Sequence, residues 1–227
     1  MTSKSASTKS LFAYELVRAR ILRHEYLPGQ PINQAGLAQE LGISTTPLRE
    51  ALRRLESEDL VELRSHSDAR VTELTAEGAR DLLELRLALD PMAVALAAER
   101  RTKADISRMR DAQAGMTALP NEPSITQLVA HREFHQSLYT ASHNEALIRT
   151  LDGLWDKADR YRIVGLEVKR DQEERDQRTR EHHALLDMVI AGDAEGAADV
   201  MRTHIAVSLG AKAARRLVAN GERESVA

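Results

Sequence analysis

The feature that most constrains this chain is a single change of texture near residues 72–77. Before it, the pattern switches type every few residues. After it, apolar side chains recur at three- and four-residue steps, through Leu82, Leu83, Leu85 and Leu89 and again through Leu128, Phe134, Leu138, Leu185, Leu186, Val189 and Ile190. Such spacing places one apolar stripe on each helix, and stripes of this kind are buried by packing helices together. The chain therefore reads as mainly α and in two parts. Residues 10–74 form a small mixed domain, residues 75–219 an all-helical bundle of six or seven helices, and the polar ends, 1–9 and 220–227, are expected to be disordered tails. Pro91 should kink or break its helix, because it lacks an amide hydrogen and its ring crowds the preceding turn. Pro120 to Pro123 and Ala191-Gly192-Asp193 read as connections.

The first part carries a helix at 10–24, a turn at Leu27-Pro28-Gly29-Gln30-Pro31, two short helices and two short strands. Leu37, Ala38 and Leu41 share a face of the first short helix, and Gly42 supplies a sharp turn. The second opens with the hydroxyls Ser44, Thr45 and Thr46 and has Pro47 in its first turn. Its apolar face is Leu48, Ala51, Leu52 and Leu55, which leaves Arg49 and Arg53 one turn apart on the other side with Arg54 beside them. Leu60 to Leu63 and Arg70 to Thr72 read as strands around the polar turn Ser65 to Asp68, a wing.

A net charge of -3 and a pI near 6.3 do not announce a nucleic-acid partner. Duplex binding nevertheless needs cations on one surface only, and the second helix supplies them. Ser44, Thr45, Thr46 and Arg49 occupy the end of a recognition helix that reads the major groove, Arg53 lies one turn on, and Arg64, His66 and Arg70 of the wing are placed to reach the backbone or minor groove. The alternative is a solvated face on which these arginines pair with Glu50, Glu56 and Glu58. There are no cysteines, which removes disulfides and thiolate chemistry, and no apolar run of the roughly 18 to 20 residues that a bilayer span requires. A cytoplasmic protein that avoids the membrane is expected.

The N-terminal third resembles the GntR family of bacterial transcription regulators. The resemblance rests on Leu37-Ala38, Leu41-Gly42, Ser44, Thr46-Pro47-Leu48-Arg49-Glu50-Ala51-Leu52, Leu55-Glu56 and the Pro28-Gly29 turn. Departures fall at Thr45, Asp59 and Ser67-Asp68, where the family often has Arg, Gly and Arg-Gly. The resemblance implies a winged helix-turn-helix, a homodimer, a near-palindromic double-stranded DNA operator and, most commonly, repression.

In the second part, His131 and His135 lie four residues apart, so both imidazoles face the same way. His182 leads into the apolar run Leu185, Leu186, Val189 and Ile190, and His204 lies close to Met201 and Val207. Four inward histidines on three helices make a metal site, or else a set of structural core histidines. This half is similar to the FCD effector domain of the FadR subfamily, through Glu84-Leu85-Arg86, Ala93 to Glu99, Phe134-His135, Ser142-His143-Asn144, Glu181-His182, Gly192-Asp193 and Arg202-Thr203-His204. The resemblance implies a divalent ion on His131, His135, His182 and His204, and a small organic acid effector held with the help of Arg86 and Asn144. His131 stands where that family places Asp, which favours a nitrogen-loving metal, zinc first, with nickel or manganese as alternatives.

Two readings compete: a ligand-independent DNA-binding protein whose histidines are structural, and a metal-dependent enzyme. His131-Arg132-Glu133-Phe134-His135 is not the His-Glu-x-x-His of metalloproteases, and neither a Gly-rich phosphate loop nor a Gly-x-Ser-x-Gly elbow occurs. Four protein ligands would also fill a tetrahedral ion. A DNA-binding regulator, and not an enzyme, is the reading carried forward.

Overall fold

The structure, a computed structural model, describes residues 2–63 and 68–224, with side chains described for 8–63 and 69–220. It divides into two compact units, Met1–Leu74 and Thr75–Ala227.

The first unit contains α1 (Thr2–Leu22), β1 (Pro31–Asn33), α2 (Gln34–Glu40), α3 (Thr45–Ser57), β2 (Val61–Leu63) and β3 (Asp68–Val71). The strands form one antiparallel sheet in the order β1-β3-β2, with Ala69 opposite both Ile32 and Leu63. Val17 and Ile21 of α1 meet Leu48, Leu52 and Leu55 of α3, all buried, with Leu60 and Val71 closing the core. Each such side chain contributes about 1.5–3 kcal/mol by leaving water.

Two expectations are corrected here. The sequence promised two strands, and β1 is a third. It is three residues long and begins at Pro31, tolerated because an edge strand does not need every amide for pairing. The N-terminal tail is also shorter than expected, since α1 starts at Thr2: the stretch up to Leu27 holds neither glycine nor proline to stop a helix. Gly29 turns the chain into β1 with φ +76, and its amide donates to the Val71 carbonyl at 2.9 Å.

The second unit contains seven helices among the described residues: α4 (Ala76–Arg100), α5 (Lys103–Gly115), α6 (Ile125–Thr140), α7 (Glu145–Leu166), α8 (Gln172–Ala191), α9 (Ala194–Ala206) and α10 (Leu209–Glu224). Their starts are chemically marked. Thr102 and Ser124 build reciprocal capping boxes with Asp105 and Gln127, while Asn144, Asp171 and Asp193 accept from amides of the first turn of α7, α8 and α9. Gly192 closes α8 in the left-handed region at φ +84. The core joins Val94 and Ala97 of α4, Met109 of α5, Phe134 and Leu138 of α6, Leu185 and Val189 of α8, and Met201 and Ile205 of α9.

Pro91 does not break α4, which runs through it for 25 residues. The proline is buried together with Asp90, Ala93 and Val94, so packing on both sides of it offsets one lost backbone hydrogen bond. At the other end α10 continues through the expected tail to Glu224, because the Ala- and Arg-rich stretch from Ala211 favours a helix that one glycine does not stop. No helix of the described residues is long and apolar enough to cross a membrane.

Candidate nucleic-acid helix and candidate metal centre

Helix α3 is anchored by its buried face, Leu48, Ala51, Leu52 and Leu55, and presents the opposite side outward. Ser44 is its N-cap residue, yet the hydroxyl makes no cap hydrogen bond, and Ser44, Thr45 and Thr46 are all exposed. A helix N-terminus of this kind, with amides and hydroxyls directed at solvent, suits phosphate oxygens. Arg49 is half-buried and Arg53 exposed.

Two of the nearby carboxylates also serve the scaffold. Glu56 accepts from the Leu63 amide at 3.1 Å, and Glu58 accepts from the Tyr14 hydroxyl at 2.9 Å. Arg54 belongs to that second group: its guanidinium lies 3.7 Å from the Tyr14 ring centroid and 3.4 Å from Glu58. It fastens α3 to α1. Arg70 of the wing donates to the Gly29 carbonyl and so braces the turn before β1, a structural duty the sequence did not disclose. Arg64 and His66 lie outside the described residues.

In the helical unit, α6 brings in His131 and His135, α8 brings in His182 and α9 brings in His204. One nitrogen from each of the four lies within 4.8 Å of the others. Nitrogens about 2.0–2.1 Å from a shared ion stand about 3.3 Å apart in a tetrahedron and up to about 4.2 Å across an octahedron, so small side-chain rotations would close the cluster on one ion. His135, His182 and His204 are buried and His131 is partly so.

Three of the rings carry a buried nitrogen without a hydrogen-bond partner: His131 Nδ1, His135 Nε2 and His182 Nε2. The fourth is held from behind, His204 Nδ1 lying 2.8 Å from Glu181 Oε2. Burial, reinforced by the neighbouring imidazoles and arginines, pushes His131, His135 and His182 well below the ordinary histidine value. His204 is lowered by burial as well, with Glu181 pulling the other way. Neutral imidazoles with unsatisfied buried lone pairs are what a divalent cation requires, and the four residues fit one.

The cluster opens into a cavity of about 130 Å³. That is many times the roughly 10–15 Å³ needed for one water. Arg86 lines it, buried, with Nε 2.8 Å from Asp90 and its guanidinium 4.4 Å from the Trp155 ring centroid. Asn144 does not line it. Its Oδ1 accepts from the Leu147 amide at 3.2 Å, so that oxygen serves as the cap of α7. Sequence reasoning gave no role to Glu181, Trp155, Arg162, Arg170 and Arg178. Glu181, beside His182 in a segment already matched to the effector domain, and Arg178, four residues before His182 on α8, had a local signal.

A helix-turn-helix with an outward cationic helix, joined in sequence to a helical unit built around an anion-attracting cavity, defines a DNA-binding transcription regulator. The description for bacterial regulatory proteins of the gntR family matches residues 9–71, and that for the FCD domain matches residues 81–207. The chain belongs to the GntR family, in the FCD-bearing branch to which the FadR subfamily belongs, and is a regulator and not an enzyme.

Relatives of known description agree. The Nta operon transcriptional regulator of Aminobacter aminovorans is 34% identical over 134 residues, 59% of this chain and 64% of that one. The probable D-xylose utilization operon transcriptional repressor of Paenarthrobacter nicotinovorans is 27% identical over 213 residues, 93% and 90% of the two chains. The solved structure of E. coli McbR/YncC superposes with a TM-score of 0.69 at 25% identity, covering 88% of this chain and 96% of its own.

Proposed function

We propose that this regulator is a homodimeric repressor whose hold on a near-palindromic operator is set by a small organic acid bound beside a divalent ion on His131, His135, His182 and His204. The observation that carries the reading is the convergence of three unpartnered buried imidazole nitrogens on a fourth ring fixed by Glu181. Leaving such groups unsatisfied costs about 1–3 kcal/mol each, a cost that coordination removes. The ion would supply two positive charges at one end of the cavity, and a carboxylate would be drawn there. With four imidazoles bound, a tetrahedral zinc has no position left and the acid would rest on Arg86. A six-coordinate nickel or manganese would accept the acid directly.

Repression is supported by the relatives named as repressors, among them GlaR of Escherichia coli, 26% identical over 206 residues, 86% of this chain and 92% of that one. A dimer is supported by Leu85 and Met92, seven residues apart on α4 and both exposed, which leave an apolar strip uncovered in the single chain. To change transcription the acid must bind the operator-competent and operator-incompetent forms with different affinity.

The test is metal analysis of the purified protein beside a His131→Ala, His182→Ala double variant, with operator binding measured on both. About one ion per chain, lost in the variant, is the expected result. A metal-free wild type that still binds its operator would make these structural histidines and leave a regulator without a metal.

A further inference from the structure

Besides Arg86, the cavity is lined by further guanidiniums that a single carboxylate beside the histidines leaves without an anionic partner. Arg170, in the loop between α7 and α8, lines the cavity and is only 5% exposed. Its guanidinium donates to the neutral Pro120 carbonyl, and its Nε has no partner. Among the described residues no carboxylate bonds it: Glu174, the one acidic residue on the cavity wall, acts on it through charge but makes its ion pair with Lys212.

A buried guanidinium that no carboxylate bonds is costly, and here the backbone holds it in place. The Arg170 amide donates to Asn121 Oδ1 at 3.0 Å, and Asn121 Nδ2 donates back to the Arg170 carbonyl at 3.2 Å. Two further guanidiniums that line the cavity are only half used. Arg162 bonds Asp159 at 2.7 Å with Nη1 and leaves Nη2 unpaired. Arg178 bonds Glu181 at 2.7 Å with Nη2 and leaves Nε and Nη1 unpaired.

We infer that the effector is a dianionic acid: one carboxylate beside the histidines, within reach of Arg86 and Arg178, and a second anionic group, carboxylate or phosphate, held by Arg170 with Arg162. The inference rests on the effector reading above and adds the second charge. Charge-assisted hydrogen bonds to a planar guanidinium supply the directly bonded anion that Arg170 lacks.

The test is isothermal titration of the zinc-loaded full chain with glycolate, glutarate and 2-phosphoglycolate, on wild type, Arg170→Gln and Arg170→Lys, with zinc content and thermal unfolding recorded for each. At least one dianion should bind wild type about tenfold or more tighter than glycolate. Arg170→Gln should erase that advantage and leave glycolate within about twofold, while Arg170→Lys, which keeps the charge, should retain part of it. Preference for glutarate identifies the second group as carboxylate, and preference for 2-phosphoglycolate identifies it as phosphate. Equal binding of all three probes, or a dianion advantage that survives in Arg170→Gln, overturns the inference and leaves the effector reading intact. Failure of all three to bind a zinc-loaded, folded protein overturns both.

Discussion

His204 on α9 and Glu181 on α8 meet through an Nδ1 to Oε2 separation of 2.8 Å, with both side chains buried. Burial alone would raise the Glu181 carboxyl, but His204, Arg178 and Gln177 more than reverse this, and its pKa is lowered. The ionised carboxylate therefore fixes the tautomer and tilt of the imidazole and leaves Nε2 for the other three rings. It also returns a negative charge to a ligand set in which His131 stands where related domains place Asp.

Glu181→Gln should keep the helical unit folded and weaken metal binding by about 10–100-fold. Competition against a chromogenic chelator measures this directly. An unchanged affinity would mean that the carboxylate holds Arg178 and His204 for packing alone.

Arg49→Ala and Arg54→Ala should separate operator reading from scaffolding. Arg49, near the N-terminus of α3, should cost about 1–3 kcal/mol of operator affinity if it reads a base. Arg54, stacked on Tyr14 and paired with Glu58, should show its loss mainly in thermal stability. Fluorescence anisotropy at two salt concentrations, beside unfolding curves, distinguishes them. Equal operator losses in both variants would place Arg54 on the DNA as well.

Asp105 gives the fold a defined acid sensitivity. Burial raises its pKa, but hydrogen bonds from Thr102 and His143 outweigh that and hold it at about 2, below the ordinary 3.8. A depressed folded value means that its contribution is complete above the unfolded value and is lost as pH falls through about 2. Asp105→Asn should lose about 1 kcal/mol of stability near neutral pH, the size of a lost cap. In urea unfolding the gap between wild type and variant should narrow between about pH 5 and about pH 2.5. A gap independent of pH would remove the carboxylate's charge from the account.

Gly165 lies where α7 passes the start of α10, and a Cβ there would sit 2.1 Å from the Leu209 carbonyl oxygen. Backbone cannot yield as a flexible side chain can. Gly165→Ala should therefore destabilise by at least about 1–3 kcal/mol, although alanine is the better helix former. A raised melting temperature would show that α10 moves aside freely.

Much of this was legible in local chemistry. Leu48, Ala51, Leu52 and Leu55 at helical spacing located α3 and its buried face, Gly42 located the turn before it, and the i, i+4 pair His131 and His135 located half of the histidine cluster. Where local rules failed, packing outweighed them. Pro91 sits unbroken in α4 because the buried surface around it compensates, and β1 is too short to read because the antiparallel partner β3 makes it a strand.

The sequence by itself determined the helical periods, the caps and the outward cationic helix, because each depends on residues within one or two turns of one another. Only the tertiary structure decided that Glu181 faces His204, that Arg70 braces Gly29 and that Arg170 lies buried on the cavity wall with no carboxylate bonded to it among the described residues. Those relationships join residues 23 or 41 positions apart, or depend on how helices enclose a loop. The reason is physical: burial and electrostatic partnership are properties of the assembled interior, where the low dielectric makes an unpaired charge costly and its missing partner informative.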